Sequence, residues 1–306
     1  APARLPALPD LFCLPLQDGA GEPDFPASEA EAQRRLDSFL SGPVFNYTEG
    51  RNFLAQTGTS RLSPYFRFGL LSARQAASAV LEKLRTVEDA TARQGCETWL
   101  NELVWREFYY AILFYHPEVL KTAYQPAYRH IPWRDSPVDL SAWKTGETGY
   151  PVIDAGMRQL AQTGWMHNRA RMIVASFLVK NLLVNWQAGE AWFMQHLVDG
   201  DPAANNGGWQ WTAGVGTDAA PYFRIFNPIS QSQKYDPEGE YIRRFVPELR
   251  RVPLVYLHAP WLMPEDIQHS AGCRIDKDYP APIVDVTQTK ERTLSAYKFS
   301  KMVRQN

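Results

Sequence analysis

The sequence predicts an all-α fold. Helical periodicity runs over about residues 95–115, 151–163, 167–184 and 187–197, helix-start signals stand at Ser28, Ser63 and Ser72, and strand-like alternation bounded by turns is almost absent. A chain of 306 residues can bury a large core and sets a prior of about two domains. Hydrophobic residues make up 45% and charged residues 21%, the balance of a globular protein, and no apolar run approaches the roughly 18 residues of a membrane span. Cys13, Cys96 and Cys273 are odd in number without metal-ligand spacing, which fits a reduced compartment. The opening Ala-Pro-Ala-Arg has no signal-peptide anatomy and does not read as a natural start, so a cytoplasmic, bacterial-type intracellular protein is expected.

The elements follow in order. Residues 1–28 are proline-rich with little period and read as an interdomain linker or wrapping tail, which leaves residues 29–306 as the folded unit. Ser28-Glu-Ala-Glu31 is written as a capping box, with Ala32, Leu36, Phe39 and Leu40 as its apolar stripe and Gly42-Pro43 as its stop. Ser63-Pro64 places proline in a first helical turn, and Ser72-Ala-Arg-Gln75 is a second capping box. No internal repeat, heptad array or low-complexity segment interrupts the longer helices that follow.

The candidate chemistry lies on helix faces and in one run without period. In Trp99–Tyr110, Glu102, Trp105, Arg106 and Tyr109 fall at i, i+3, i+4 and i+7, so a carboxylate, a guanidinium and two rings share a face. Such a face lines a pocket or holds an ion pair beside core aromatics, with equal odds. Asn168, Arg171, Met172 and Ala175 repeat that spacing, although a methionine there is more often core, and His167 is more often structural than catalytic. Thr59, Ser60 and Ser63 put hydroxyls before a helix start, which suits an anion less often than a simple cap. Asp199-Gly-Asp201-Pro-Ala-Ala-Asn205-Asn-Gly-Gly-Trp209-Gln-Trp211 has neither helical nor strand period and is expected to be a ligand loop that meets a flat aromatic group.

Charge is polarised. Residues 1–60 hold four basic against eight acidic residues, and residues 121–180 hold eight basic against four acidic, leaving room for a basic face that meets phosphates. Walker A and GxGxxG patterns are absent, as are a metal-ligand cluster and a hydrolytic triad.

Five motifs, taken together and in order, resemble the helical flavin domain of the photolyase and cryptochrome family. They are Thr59–Pro64, Asn101–Phe108, Thr148–Asp154, Gly164–Arg169 and the run from Asp199 to Pro228. The resemblance extends from about residue 29 to the C-terminus and is closest to class I cyclobutane pyrimidine dimer photolyases. It implies that the family's N-terminal α/β antenna domain is absent from this chain, so that an antenna chromophore belongs only to a longer one. By resemblance, FAD is bound in a U shape and is active in its reduced anionic form. Tyr47, Thr59, Ser60, Arg61, Leu62, Ser63, Arg106, Trp165, Asn168, Arg171, Asp199, Asp201 and Asn205 are implied to hold it, Asn205 facing ring nitrogen N5.

The partner implied is ultraviolet-damaged DNA whose lesion is flipped out of the duplex, a behaviour established for photolyases. Glu102, Trp105, Arg169, Met172 and Trp211 would receive the lesion, and Trp209, Trp186 and Trp133 would relay electrons to the flavin. Light-driven electron transfer into the cyclobutane ring, ring splitting and electron return complete the implied reaction. A monomer without metal or membrane attachment is expected. Asn205 matches cyclobutane enzymes, and Asn168 and Met172 stand where (6-4) photolyases use histidines. A cryptochrome-like photoreceptor is the alternative, and a cofactor-free helical scaffold a third reading.

Overall fold

The computed structural model describes residues 24–303. Most of the reading of residues 1–28 as a tail therefore lies outside the described residues, as does Cys13. The first helix, α1 (Glu29–Leu40), starts as expected with Ser28 Oγ accepting the Glu31 N–H at 3.0 Å. The reciprocal half of the capping box does not form. Glu31 instead takes Arg34 and Arg35, each at 2.7 Å, because charge-assisted bonds outcompete a neutral N–H. Burial is not needed for that choice: the two guanidiniums hold the Glu31 carboxyl down at about 2. After α2 (Tyr47–Gly50) and α3 (Ser63–Arg67), α4 (Ala73–Thr86) carries the complete box of Ser72 and Gln75.

The longest helix, α5 (Ala90–Tyr115), is capped by Asp89, and α6 (Pro137–Thr145) and α7 (Pro151–Thr163) both end on left-handed glycines, Gly146 and Gly164. The expected helix over 167–184 forms over residues 168–181, with its last turn widened into a π turn. Helix α8 (Asn168–Ser176) passes into a π turn at Phe177–Asn181, followed by Leu183 at φ 55°. This turn buries Lys180, whose ammonium donates to Ala213 O at 2.8 Å and lies 3.9 Å from the Tyr297 ring; burial pushes it down to about 7. Helix α9 (Trp186–His196) follows.

The run from 199 to 211 is mostly helix, contrary to its aperiodic sequence. Helix α10 (Pro202–Ala213) is started by Asp201, whose Oδ1 accepts from Ala203 N at 2.9 Å and Ala204 N at 3.0 Å. Gly207 and Gly208 obscure this helix in the sequence. Gly207 is required because a Cβ there would lie 2.1 Å from the Tyr109 ring, so α5 and α10 approach at that point. The remaining helices are α11 (Pro228–Tyr235), α12 (Glu240–Phe245), α13 (Leu254–Leu257), α14 (Glu265–Ala271) and α15 (Val286–Val303). Among the described residues the only β pairing is an isolated bridge, Ile275 to Tyr279, so the fold is all-α.

Two separate hydrophobic cores organise these helices. The smaller is built from α1 to α4 and the first half of α5, including Leu36, Phe39, Tyr65, Val80 and Trp99. The larger is built from α6 to α15, including Trp143, Ile153, Phe177, Trp209 and Tyr297. Between them runs a seam crossed largely by polar contacts: Arg67 Nε to Gly200 O at 2.6 Å, Tyr110 to Asp201 and Arg169 to Asn52.

Candidate functional site

The sequence-predicted residues fall on the two sides of this seam. On the side of the larger core, Arg171 forks onto both oxygens of Asp199 at 3.0 and 2.8 Å and gives its Nε to Met166 O at 2.8 Å. The Asp199 side chain is only 2% exposed, so the pair is a fixed, largely dry dipole. Asp201, besides capping α10, accepts from the Tyr110 hydroxyl. Asn205 gives its Nδ2 to Glu190 O at 3.0 Å, and Asn206 gives its own to Glu190 Oε1 at 2.9 Å. Burial raises the Glu190 carboxyl, with the Asn206 bond opposing it. His167 is structural as expected: it caps α8 through Nδ1, and burial followed by Arg169 and Arg171 depresses it to about 4.

On the opposite side, the backbones of Gly50 and Gly58 meet so closely that a Cβ on Gly58 would lie 2.2 Å from Gly50 O. This contact closes the segment 51–57 into a loop and presents Thr59, Ser60 and Arg61 to the seam. Tyr47 is buried, and burial, with Glu102 second, raises its hydroxyl. Leu62 is core, whereas Ser63 is exposed and α3, which it opens, is only five residues long. Arg106 bonds Glu107 Oε1 at 2.6 Å and lies over the Tyr110 ring at 4.5 Å. The shared face of α5 is therefore realised, with its guanidinium turned toward Tyr110 and thus toward Asp201.

The residues expected to receive a lesion are brought together through two that the sequence did not single out. Glu102 forms an ion pair with Arg51; the next residue, Asn52, accepts from Arg169; and Arg169 Nη1 lies 3.8 Å from the Met172 sulfur. Asn168 Nδ2 reaches the same sulfur at 4.0 Å. Trp105 is 42% exposed and packs on Phe108 and Tyr109, and Trp211 lines a shallow cleft with Tyr109, Gln210 and Asp218. Asn52, Tyr110 and Glu190 carried no signal in the sequence, because their roles depend on contacts between distant segments.

The basic excess of residues 121–180 is partly taken up inside the fold. Of the eight basic residues in 121–180, Lys180 is buried, and Arg134, Arg158 and Arg171 pair with Asp139, Glu248 and Asp199. Trp209 and Trp186 are 2% and 3% exposed and Trp133 is half-buried, a gradation from core toward surface. The rings against Trp209 are Phe193 at 5.0 Å and Trp143 at 6.1 Å, and Trp133 meets Tyr297 at 6.1 Å.

The chain matches the family model for the FAD binding domain of DNA photolyase over residues 99–299. It belongs to the DNA photolyase family. A deoxyribodipyrimidine photo-lyase of Escherichia coli is 49% identical over 90% of this chain and 56% of its own length. A class III photolyase structure from Agrobacterium tumefaciens superposes with a TM-score of 0.84 at 46% identity, covering 90% of this chain and 56% of that one. A Synechocystis cryptochrome superposes with a TM-score of 0.82 at 34% identity, covering 89% and 56%. The chain thus spans about half the length of the relatives it matches. No helix among the described residues is long and apolar enough to cross a membrane, and none of their His, Cys, Asp and Glu side chains form a group able to hold a metal.

The seam fits the flavin that this family binds. Eight buried side-chain polar atoms among the described residues have no partner, and five of them belong to Arg61, Tyr65, Trp165, His167 and Arg169, on or beside the seam. Buried donors left in this way are costly unless a ligand takes them, and a polar, hydrogen-bond-rich dinucleotide supplies acceptors.

Proposed function

We propose that this chain is the flavin- and lesion-binding catalytic part of a lyase that repairs cyclobutane pyrimidine dimers in DNA with light. The observation that carries this reading is the continuous link of Glu102, Arg51, Asn52, Arg169 and Met172, which gathers the lesion residues of α5 and α8 at one mouth of the seam. When bound and reduced, FAD supplies the light-excited electron donor; its anionic form and the class I assignment belong to this reading. Tyr47, Thr59, Ser60, Arg61, Leu62, Ser63 and Arg106 hold the cofactor from one side, and Trp165, Asn168, Arg171, Asp199, Asp201 and Asn205 from the other.

The fixed charge pair of Arg171 and Asp199 sets the field there, and it reorganises little because both ends are held. Asn205, with its Nδ2 given to Glu190 O, keeps Oδ1 as an acceptor for the cofactor. At the mouth, the exposed indole of Trp105 offers a stacking face for a flipped base, with Trp211 opposite, and Glu102 offers carboxylate oxygens to the imide N–H of a thymine. Arg169 and Arg51 bring positive charge to the same place, where the lesion's phosphates and its transient negative charge both need it. Trp209, Trp186 and Trp133 relay electrons from the surface, and the protein acts on ultraviolet-damaged DNA as an intracellular monomer.

The test is a duplex containing one thymine dimer, mixed with the flavin-loaded chain and a reductant and illuminated with near-ultraviolet light. Thymine absorbance should return only when light, flavin and protein are all present. A chain that retains flavin but restores no thymine would favour the second reading, a cryptochrome-like photoreceptor, which the likeness to the Synechocystis protein supports.

A further inference from the structure

Arg61 is one of three non-glycine residues at positive φ among those described, at 51°, and it lies in the middle of the Thr59–Ser63 cradle. A left-handed arginine persists only where its surroundings over-determine it. Those surroundings are supplied by the two residues where the described chain begins. Asp24 Oδ2 lies 3.1 Å from Arg61 Nη2, and the Arg61 guanidinium lies 4.9 Å from the Phe25 ring and 4.7 Å from Trp165. Phe25 is faced from another direction by Arg35 at 5.1 Å, which also donates to Asp24 O at 2.6 Å and is itself gripped by Glu31. The rings of Tyr65 and Trp165 each lie 6.4 Å from that of Phe25.

Tyr65 belongs to the smaller core, and Trp165 follows α7 of the larger one. Phe25 therefore bridges the seam behind the cradle, between two cations that favour its π faces. Arg61 Nε, Tyr65 Oη and Trp165 Nε1 around it are buried without partners, so the arrangement orders donors beyond what it satisfies itself.

We propose that Asp24 and Phe25 form a latch that positions Arg61 and Trp165 for the flavin, so that the segment leading into α1 sets cofactor affinity without itself contacting the cofactor. Both are positioning residues, and the proposal rests on the flavin reading of the seam. With the latch in place, the strained conformation is prepared before binding. Without it, the loop must be ordered by the ligand, and part of the binding free energy is lost to that ordering.

The experiment titrates FAD onto flavin-depleted protein by fluorescence quenching, alongside tryptic cleavage after Arg61 in the ligand-free state. Phe25→Ala should raise the dissociation constant about tenfold, as expected for a lost cation–aromatic contact with its ordering. It should also speed cleavage after Arg61. Asp24→Asn should do both to a smaller extent, and Phe25→Tyr should restore both. Leu257→Ala, a core change beneath Gly239, serves as the control: it should lower the melting temperature while leaving the FAD constant alone. A wild-type FAD constant in Phe25→Ala would overturn the latch even if cleavage quickened, because Phe25 would then be a clasp for the loop and nothing more. Failure of the wild-type chain to take up FAD would instead overturn the flavin reading, and unchanged cleavage after Arg61 in Phe25→Ala would then overturn the latch as well.

Discussion

On the α8 and α10 side of the seam, Asp199 is 2% exposed with both oxygens on Arg171, and Asp201 is buried with its oxygens on the first N–H groups of α10 and on Tyr110. On the opposite side, Arg51, Arg61 and Glu102 are 29%, 32% and 36% exposed, and Arg61 keeps a strained backbone held from outside. One wall is dry and internally satisfied, and the other is wet, adjustable and partly unsatisfied. Under the proposed function, a site that must hold a rigid ring while admitting a large, flexible substrate needs both. Preorganised dipoles work best where water is excluded, and a mouth that admits a flipped base must be able to move.

The difference is most easily broken at Asp199. Replacing it with alanine leaves the Arg171 guanidinium facing a largely dry pocket, and stranding one partner of a buried pair costs about 3–5 kcal/mol. Asp199→Ala should lose most of its flavin on purification and melt well below the wild type in a calorimetric scan. Retained flavin and an unchanged melting temperature would mean that this wall is not preorganised.

The second prediction uses pH. Burial, Arg169 and Arg171 hold His167 at about 4 against 6.5 for a free imidazole, so the folded protein favours the neutral ring. Its contribution to stability is complete above 6.5 and is lost as pH falls from there toward 4. His167→Asn keeps a capping acceptor but cannot titrate, so its melting temperature should rise relative to wild type across that window. The gain is bounded by roughly 3 kcal/mol, from about 1.4 kcal/mol per pKa unit. Asp154, which burial raises to about 6, pulls in the opposite direction over part of the range but is common to both proteins and cancels in the comparison. A constant difference between the two melting curves from neutral pH to 4 would refute the buried, neutral assignment.

The two walls were also unequally legible in the sequence. The all-α class, α7 and the cap of α4 followed from period and capping residues, because those signals are local. Helix α10 was hidden because Gly207 answers to Tyr109, about a hundred residues earlier, and two adjacent glycines erase the apolar period on which a helix is recognised. The spacing of Glu102, Trp105, Arg106 and Tyr109 put one face of α5 in view, and Arg171 and Asp199, which the structure joins in an ion pair, were paired through the family resemblance. Arg51, Asn52 and Glu190 stayed hidden because their partners come from other segments, and the charge count overstated the free charge because four of its eight cations are buried or paired inside the fold.

The glycine pair of α10 gives a third, smaller effect with opposite signs at neighbouring positions. A methyl on Gly207 would lie 2.1 Å from the Tyr109 ring, and overpacking of this kind costs about 1–3 kcal/mol. A methyl on Gly208 meets open space, and alanine is favoured over glycine inside a helix by up to about 1 kcal/mol. Gly207→Ala should lower the melting temperature and Gly208→Ala raise it slightly. Equal shifts would show that α5 and α10 do not meet at the seam as described.

The smallest change in stability should come from Glu102→Gln, and it tests the wet wall most directly. The pair of Glu102 with Arg51 is about one-third exposed, and such pairs contribute roughly 0–1 kcal/mol, so the variant should melt close to wild type and keep its flavin. The replacement holds the shape of the side chain but exchanges a carboxylate oxygen for an NH₂ group, which cannot accept from a thymine imide and no longer balances Arg51. A group that touches the substrate during the reaction, and contributes little to the fold, should reveal itself in the chemistry. Glu102→Gln should bind dimer-containing DNA more weakly and, at saturating DNA, repair fewer dimers per absorbed photon. Trp105→Ala, which removes a stacking face and no charge, should lose affinity by about 1–3 kcal/mol while keeping a yield nearer wild type once saturated. The contrast between the two variants is the decisive measurement. If both repair with wild-type yield and affinity, the lesion does not sit at the link from Glu102 to Met172, and the mouth of the seam serves some other partner.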